Sequence, residues 1–516
     1  MYYIMQTAKI DFNPLFKKAL DIMENSSKSA FITGKAGTGK STLLQYFRMH
    51  AKKRVVVLAP TGVAAINVSG ETIHSFFRFK PNITLNKVKK IKLAKGEKSL
   101  YKKIDTIIID EISMVRADLL DCVNKFLRLN GPKKKKPFGG IQMIFIGDLY
   151  QLPPVVTSQE KESFSQQYKS PYFFAAKSFD HLQMEYIELE KVYRQKDAIF
   201  IKLLNNFRKN IVAEDDLEQI NERFNPDFEP KEDEFYIRLT TTNKMANELN
   251  ERELKKLKAK LHTFQGEVSG EFDLKQLPTD LSLNLKTGSQ IMLLNNDGWG
   301  RWVNGTVGKI IDILKGRVLV ELADGKVTEV APYTWEIFHF NLNQNSQQLE
   351  AEVVGKFSQF PMKLAWAITI HKSQGKTFDH VILDIGKGTF AHGQLYVALS
   401  RCRSLGGIIL KKKIKKPHII MDYKVVNFVT RYQYKQSEFR CSLEEKIRII
   451  KQAIKDNRDL ELTYLKTSDE KSRRTIKPTH IGEIEYSGKS FLGVKAFCLK
   501  RNDERVFRVD RILEIH

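Results

Sequence analysis

Between residues 33 and 42 the chain reads Thr33-Gly34-Lys35-Ala36-Gly37-Thr38-Gly39-Lys40-Ser41-Thr42, which satisfies the G-x-x-x-x-G-K-[ST] spacing of a phosphate-binding loop. Gly34, Gly37 and Gly39 permit a turn tight enough for successive backbone N–H groups, those of Ala36, Thr38 and Thr42 included, to face a polyphosphate. Lys40 would neutralise the terminal phosphates and the Ser41 hydroxyl would ligate magnesium. Such a loop must leave a strand and open a helix. The apolar run from Ser29 to Thr33 and the helical spacing of Leu43, Leu44 and Phe47 provide both. A nucleoside triphosphate with magnesium is the expected ligand.

Hydrolysis needs acids at the end of a neighbouring strand, and Thr106-Ile107-Ile108-Ile109-Asp110-Glu111 offers them. Asp110 would hold magnesium through water and Glu111 would polarise the attacking water. The apolar run Met143 to Ile146 leads into Gly147-Asp148-Leu149-Tyr150-Gln151, where the Gln151 amide could sense a γ-phosphate. With Val55 to Ala59 these runs make one parallel sheet, so the fold class is α/β and the first RecA-like domain covers about residues 1–200.

Lys and Arg number 85 against 60 Asp and Glu, a net charge of +25, which favours polyanionic partners. The four cysteines have no zinc-ligand spacing and read as reduced thiols of an intracellular protein. No apolar run reaches membrane-span length, and the start lacks the order of a secretion signal. A cytoplasmic protein without membrane attachment is expected.

Several further blocks resemble the petite-integration-frequency (PIF-type) helicases and their phage Dda relatives in superfamily one. They are Ala59-Pro60-Thr61-Gly62-Val63-Ala64-Ala65, Thr72 to Phe77, Pro137-Phe138-Gly139-Gly140, Gly147 to Pro154, Leu189 to Gln195, Ala365 to Gly375 and Gln394 to Arg401. They fall in family order over about residues 30–410. The resemblance implies two RecA-like P-loop domains. It makes Arg194 and Arg401 the arginines that reach the γ-phosphate across the cleft. It sets Gln374 and Gly375 along the nucleotide, and Thr61, His74, Thr369 and His371 near a translocating strand. Phe76 and Phe77 are candidates to stack on bases. Relatives carry an adenine-reading glutamine upstream of the loop; residues 11–20 have none, and Asn13 is the only amide there.

The second motor domain is expected at about residues 201–261 and 361–410. Residues 262–360 alternate as short strands with turn signals and read as an inserted small β barrel, similar to the Src-homology-type barrel of the relatives. A lysine-rich insertion at about 79–100 corresponds to the relatives' pin, without an identifiable wedge residue. Residues 411–440 read as a linker. Residues 441–516 resemble a WYL domain, a β barrel frequent in bacterial regulators, with Tyr464, Arg474, Lys477, Arg508 and Arg511 as candidate groove residues.

The resemblance therefore implies an ATP- and magnesium-dependent DNA helicase of a bacterial cytoplasm. It would run 5′ to 3′ on single-stranded DNA and open forks as a monomeric motor, with G-quadruplexes and RNA–DNA hybrids as further partners. DNA repair and telomere maintenance come with the family. Two alternatives stay open: an ATP-gated nucleic-acid-binding or remodelling protein that separates no strands, and a component of a RecD-type helicase–nuclease.

Overall fold

The computed structural model describes residues 10–92, 99–231, 234–274, 277–342, 349–467, 469–486 and 488–516. The chain start and residues 93–98 of the expected pin lie outside them. Two compact units divide the chain, Met1–Ile420 and Met421–His516.

The first unit opens on six parallel strands: β1 (Ser29–Gly34), β2 (Val55–Ala59), β3 (Glu71–Thr72), β4 (Thr106–Ile109), β5 (Gln142–Ile146) and β6 (Met184–Leu189). Their order is β3-β2-β4-β5-β1-β6. Every residue of β1, β4 and β5 is buried, which is why these segments read as unbroken apolar runs rather than alternating ones. Helix Pro14–Asn25 places Phe16, Ala19 and Met23 against Ile32 and Ile144, and helix Lys40–His50 adds Leu43, Leu44 and Phe47 to the same core.

A second sheet begins with β7 (Ile237–Thr240), and the chain then leaves it for ten strands. These are β8 (His262–Gln265), β9 (Glu267–Gly270), β10 (Ser282–Leu285), β11 (Gln290–Leu293), β12 (Val307–Leu314), β13 (Arg317–Leu322), β14 (Val327–Val330), β15 (Tyr333–Leu342), β16 (Leu349–Gln359) and β17 (Met362–Leu364). Residues 262–360, expected as an inserted region, carry β8 to β16. Its pairing is divided among β10-β8, β14-β13-β12-β11-β17 and β15-β16-β9, and it runs on to Leu364 because β17 pairs with β11. The chain returns as β18 (Ala367–Thr369), β19 (Val381–Asp384) and β20 (Ile408–Leu410), completing a parallel sheet ordered β18-β7-β19-β20. The motor thus has two parallel sheets, and the carboxyl ends of their strands carry the candidate site.

In the second unit, helices Tyr423–Arg440 and Leu443–Lys455 accompany β21 (Leu460–Leu465), β22 (Lys471–Tyr486), β23 (Lys489–Cys498), β24 (Asp503–Arg508) and β25 (Ile512–Ile515). The strands pair antiparallel in the order β24-β23-β22-β21-β25. The expected linker is corrected here: residues 423–440 form a helix of this unit. Val425, Val426 and Val429 are buried, and the Ser437 hydroxyl donates to the Leu513 carbonyl at 2.6 Å. Buried Lys446 ties the parts together, donating to Ser437 Oγ at 2.8 Å and to the Ile512 carbonyl at 2.7 Å.

Candidate functional site

The phosphate loop joins β1 to helix Lys40–His50, as its composition requires. Gly39 takes a left-handed φ of +87° as the N-cap of that helix. Gly37 has φ +78°, and a side chain there would put Cβ 2.5 Å from Cβ of Arg194, so glycine is what admits the arginine beside the loop. Lys40 Nζ donates to the carbonyls of Gly34 at 2.7 Å and Lys35 at 3.0 Å. Burial holds its ammonium below the usual lysine range, with Asp148 and Glu111 opposing that shift.

Asp110 and Glu111 follow β4. Burial pushes Asp110 up to about 6, and burial with the neighbouring Asp110 charge pushes Glu111 up to about 7. Glu111 sits at φ +49°, a left-handed conformation rare for a side chain of its size. Across the cleft, Gln374 Nε2 donates to Glu111 Oε2 at 3.1 Å and to Gln151 Oε1 at 3.3 Å. Gln374, Glu111 and Gln151, expected together from three distant blocks, do meet. Gly375 follows with φ +79°, which lets the chain turn away immediately after Gln374.

The two arginines share a holder. Arg194 Nη1 donates to the Ser400 carbonyl at 3.1 Å, and Arg401 Nη2 donates to Ser400 Oγ at 2.9 Å. Arg401 is only 1% exposed and its remaining bonds go to the carbonyls of Val397 and Lys376. Burial and the Arg194 charge lower its guanidinium to about 9. A cation buried on neutral acceptors is suited to an incoming phosphate.

Sequence reading missed three residues at the centre of this cleft. Asp148 and Arg208 form an ion pair of 3.0 Å, with side chains 0% and 2% exposed. Burial alone would raise Asp148, but Arg208 and Lys40 hold its carboxyl below the ordinary value. Arg208 also lies 4.1 Å over the Tyr150 ring, while its Nε and Nη1 have no hydrogen-bond partner among the described residues. Tyr396 Oη accepts from the Ala36 N–H of the loop at 2.9 Å and lies 3.5 Å from Asp148 Oδ2. Arg208 closes the amphipathic helix Ala198–Lys209, where a cation reads as an ordinary end residue.

The expected strand-contacting residues separate. Thr61 is exposed and caps helix Gly62–Asn67 through Ala64. His74 is half-buried, and burial lowers its pKa. Phe76 and Phe77 are corrected to core: they are 4% and 1% exposed, Phe76 packs edge-on against Phe77 and Tyr101, and Phe77 stacks on Phe79 and Tyr101 and meets Phe126 edge-on, so neither presents a face to a base. Thr369 is buried as well, its hydroxyl accepting from the Lys372 N–H at 3.3 Å. His371 stacks on Phe390, which is 61% exposed, and this pair is the open aromatic surface of that region. Asn13 caps helix Pro14–Asn25 with its oxygen and donates its amide to Tyr193 Oη at 3.0 Å, so both halves of the amide are engaged.

In the second unit, Arg508 is bound to Asp510 at 2.6 Å and lies 4.8 Å over the Phe491 ring. Arg474 donates to Ser472 Oγ at 3.2 Å, the Tyr464 hydroxyl accepts from the Arg508 N–H at 3.4 Å, and Lys477 is exposed. Arg511 is half-buried, and with Tyr464 and Arg508 it acts electrostatically on the hydroxyl of Tyr434. All four cysteines are free. Among the described residues no helix is long and apolar enough to cross a membrane.

A phosphate loop on one parallel sheet, faced by an amide and an arginine, Gln374 and Arg401, from a second, defines a two-lobed nucleotide-driven motor. Comparison with known proteins refines the class. Residues 11–216 match the PIF1-like helicase model, 364–408 the UvrD-like helicase C-terminal domain and 445–516 the WYL domain. The ATP-dependent DNA helicase Pif1 of Bdellovibrio bacteriovorus is 32% identical over 446 residues, covering 84% of this chain and 94% of that protein. The human ATP-dependent DNA helicase PIF1 is 34% identical over 392 residues, and the chain spans 58% of its length. Bacteroides sp Pif1 in complex with ADP-AlF4 superposes with a TM-score of 0.74 at 35% identity, and Bacteroides Pif1 bound to ssDNA with 0.60 at 35%, each covering 83% of this chain and 98% of that one. The chain belongs to the PIF1-like helicase family and is an ATP-dependent DNA helicase.

Proposed function

We propose that the protein moves 5′ to 3′ along single-stranded DNA and separates strands at forks, using magnesium-bound ATP. The carrying observation is the short segment from Thr369 to Lys376. One end supplies Gln374 to Glu111 and Gln151, and the other supplies His371, stacked on the exposed Phe390. Any shift of Gln374 relative to the first lobe is therefore carried within three residues to an aromatic surface suited to bases.

Glu111 orients and polarises the attacking water, and Arg194 and Arg401 answer the charge that grows on the phosphoryl group. Lys40 and the loop amides bind the phosphates, and Gln151 reports their state through Gln374. Ser41 and Asp110 form an oxygen-only donor set that suits magnesium, and the raised Asp110 and Glu111 carboxyls are groups that a divalent cation would stabilise when ionised. Bound there, magnesium supplies neutralisation of the triphosphate charge. Thr61, His74 and His371 are the proposed strand contacts. We read the inserted sheets as a Src-homology-type barrel and the second unit as a WYL barrel. The setting is a bacterial cytoplasm, with single-stranded and forked DNA as substrates of a monomeric motor.

Forks carrying only a 5′ or only a 3′ tail test this reading. Opening of the 5′-tailed fork alone, with ATP, is expected. Equal opening of both would overturn the polarity, and DNA-stimulated hydrolysis with neither fork opened would favour a remodelling protein.

A further inference from the structure

Two lysines that no block of the family pattern calls on lie where three parts of the motor meet. Lys363 is in β17, at the end of the inserted region, and Lys376 follows Gln374 in the second lobe. Both are half-buried. Lys376 Nζ donates to Asn304 Oδ1 of the insertion at 2.5 Å, and Asn304 Nδ2 donates in turn to Asn67 Oδ1 of the first lobe at 2.9 Å. Gly305, at φ +100°, lies directly beside the Lys376 side chain, whose Cβ and Cγ would be 3.4 Å from a Cβ there. No carboxylate pairs with either ammonium among the described residues.

The strands bring the two together: Lys363 pairs with Met292 of β11, the next residue Leu293 exchanges backbone hydrogen bonds of 2.8 Å with Gly305 and Thr306, and Gly305 lies against Lys376. Burial, with repulsion from Lys376 and Lys372, lowers Lys363 to about 7, and Asp280 offsets only part of this. Burial lowers Lys376 to about 8. Neighbouring cations held without an acid are stabilised by an anion that bridges them. Meanwhile the backbone carbonyl of Lys376 accepts from Arg401 Nη1 at 3.4 Å, inside the nucleotide cleft. One residue therefore faces the cleft with its carbonyl and the insertion with its ammonium.

We propose that Lys363 and Lys376 form a clamp for a phosphodiester of single-stranded DNA, whose grip changes when Arg401 exchanges the Lys376 carbonyl for a phosphate. This rests on the DNA-motor reading above. His371, five residues before Lys376, and Phe390 supply the adjoining aromatic surface, so a strand stacked there would run its backbone past cations already in place.

The test is anisotropy of a labelled oligothymidine of about 15 nucleotides, titrated with salt, with and without ADP–aluminium fluoride, on the full chain. Neutralising one phosphate contact should reduce the slope of log affinity against log salt by about 0.7 in Lys363→Gln and in Lys376→Gln. Lys376→Arg should keep the wild-type slope. The slope of the wild type should differ between the two nucleotide conditions by about the same amount, and Lys376→Gln should abolish that difference. Should Lys376→Gln fail to fold, Lys376→Met takes its place, and Lys363→Gln independently decides the site. Wild-type slopes in both lysine variants would overturn the clamp, and a lowered slope with the nucleotide dependence intact would overturn its coupling to Arg401. Failure of the wild type to bind the oligonucleotide would count instead against the DNA-motor reading.

Discussion

Gln374 of the second lobe reaches Glu111 of the first, with Nε2 of one 3.1 Å from Oε2 of the other. The residue that would activate water is thereby held by a group on the opposite side of the cleft. Hydrolysis and lobe position share one hydrogen bond. The same amide lies 3.3 Å from Gln151, so the candidate base and the candidate sensor are read together.

Glu111→Gln should lower kcat by about 10²–10⁴-fold while retaining nucleotide binding, because it removes the base and keeps the shape. Gln374→Ala should leave basal hydrolysis closer to wild type and abolish its stimulation by DNA. Steady-state ATPase assays with and without single-stranded DNA separate the two; unaltered stimulation in Gln374→Ala would argue against coupling through this contact.

Arg401 makes hydrogen bonds through three different nitrogens from a fully buried position, which a lysine ammonium cannot reproduce. Arg401→Lys and Arg401→Ala should therefore both lose about 10³–10⁵-fold in kcat. Recovery of most activity in the lysine variant would show that charge alone suffices.

Breaking the Asp148–Arg208 pair on one side leaves a buried charge without its ion-pair partner, and Arg208→Met should cost about 3–5 kcal/mol of stability. Asp148→Asn combined with Arg208→Met should recover part of that loss. Denaturant unfolding of the four proteins in the cycle gives the coupling, and strict additivity would contradict it.

Phe77→Ala should destabilise the protein by about 3–5 kcal/mol, as expected for a large side chain taken from a packed aromatic group. The salt dependence of its binding to single-stranded DNA should stay that of the wild type. A selective loss of DNA affinity without loss of stability would return Phe77 to the strand.

Glu71 is 2% exposed and accepts from Ser75 Oγ at 2.7 Å; burial pushes it up to about 7 from an ordinary 4.5. The folded state holds that proton across a range in which the unfolded chain has released it, so stability falls as pH rises through this window. Asp110 and Glu111 contribute with the same sign. Thermal unfolding of the nucleotide-free protein between pH about 5 and 7 should show the decline, and Glu71→Gln should flatten it.

The parallel sheet was legible because buried strands leave unbroken apolar runs, and the loop because its glycine spacing is dictated by phosphate geometry. Long-range polar partnerships left no such trace. Nothing local distinguishes Arg208 from a helix-end cation, or Tyr396 from a core tyrosine, since their roles arise only when the two sheets face each other. Phe76 and Phe77 misled for a related reason: adjacent aromatics suit a stacking platform and a core equally, and only Tyr101 and Phe126 decide between them. Residues 411–440 read as a linker from their mixed basic character, although within them Val425, Val426 and Val429 carry the buried face of helix Tyr423–Arg440.

The hydroxyl of Tyr396 on the Ala36 N–H gives the phosphate loop a support that belongs to the opposite lobe. Ala36 itself joins the hydrophobic core of the second lobe rather than that of its own sheet. The first motor domain consequently does not shape its phosphate loop alone. A fragment cut after β6 would retain every residue of the loop motif yet lose part of what shapes it, so the motif's autonomy in sequence has no counterpart in the folded chain.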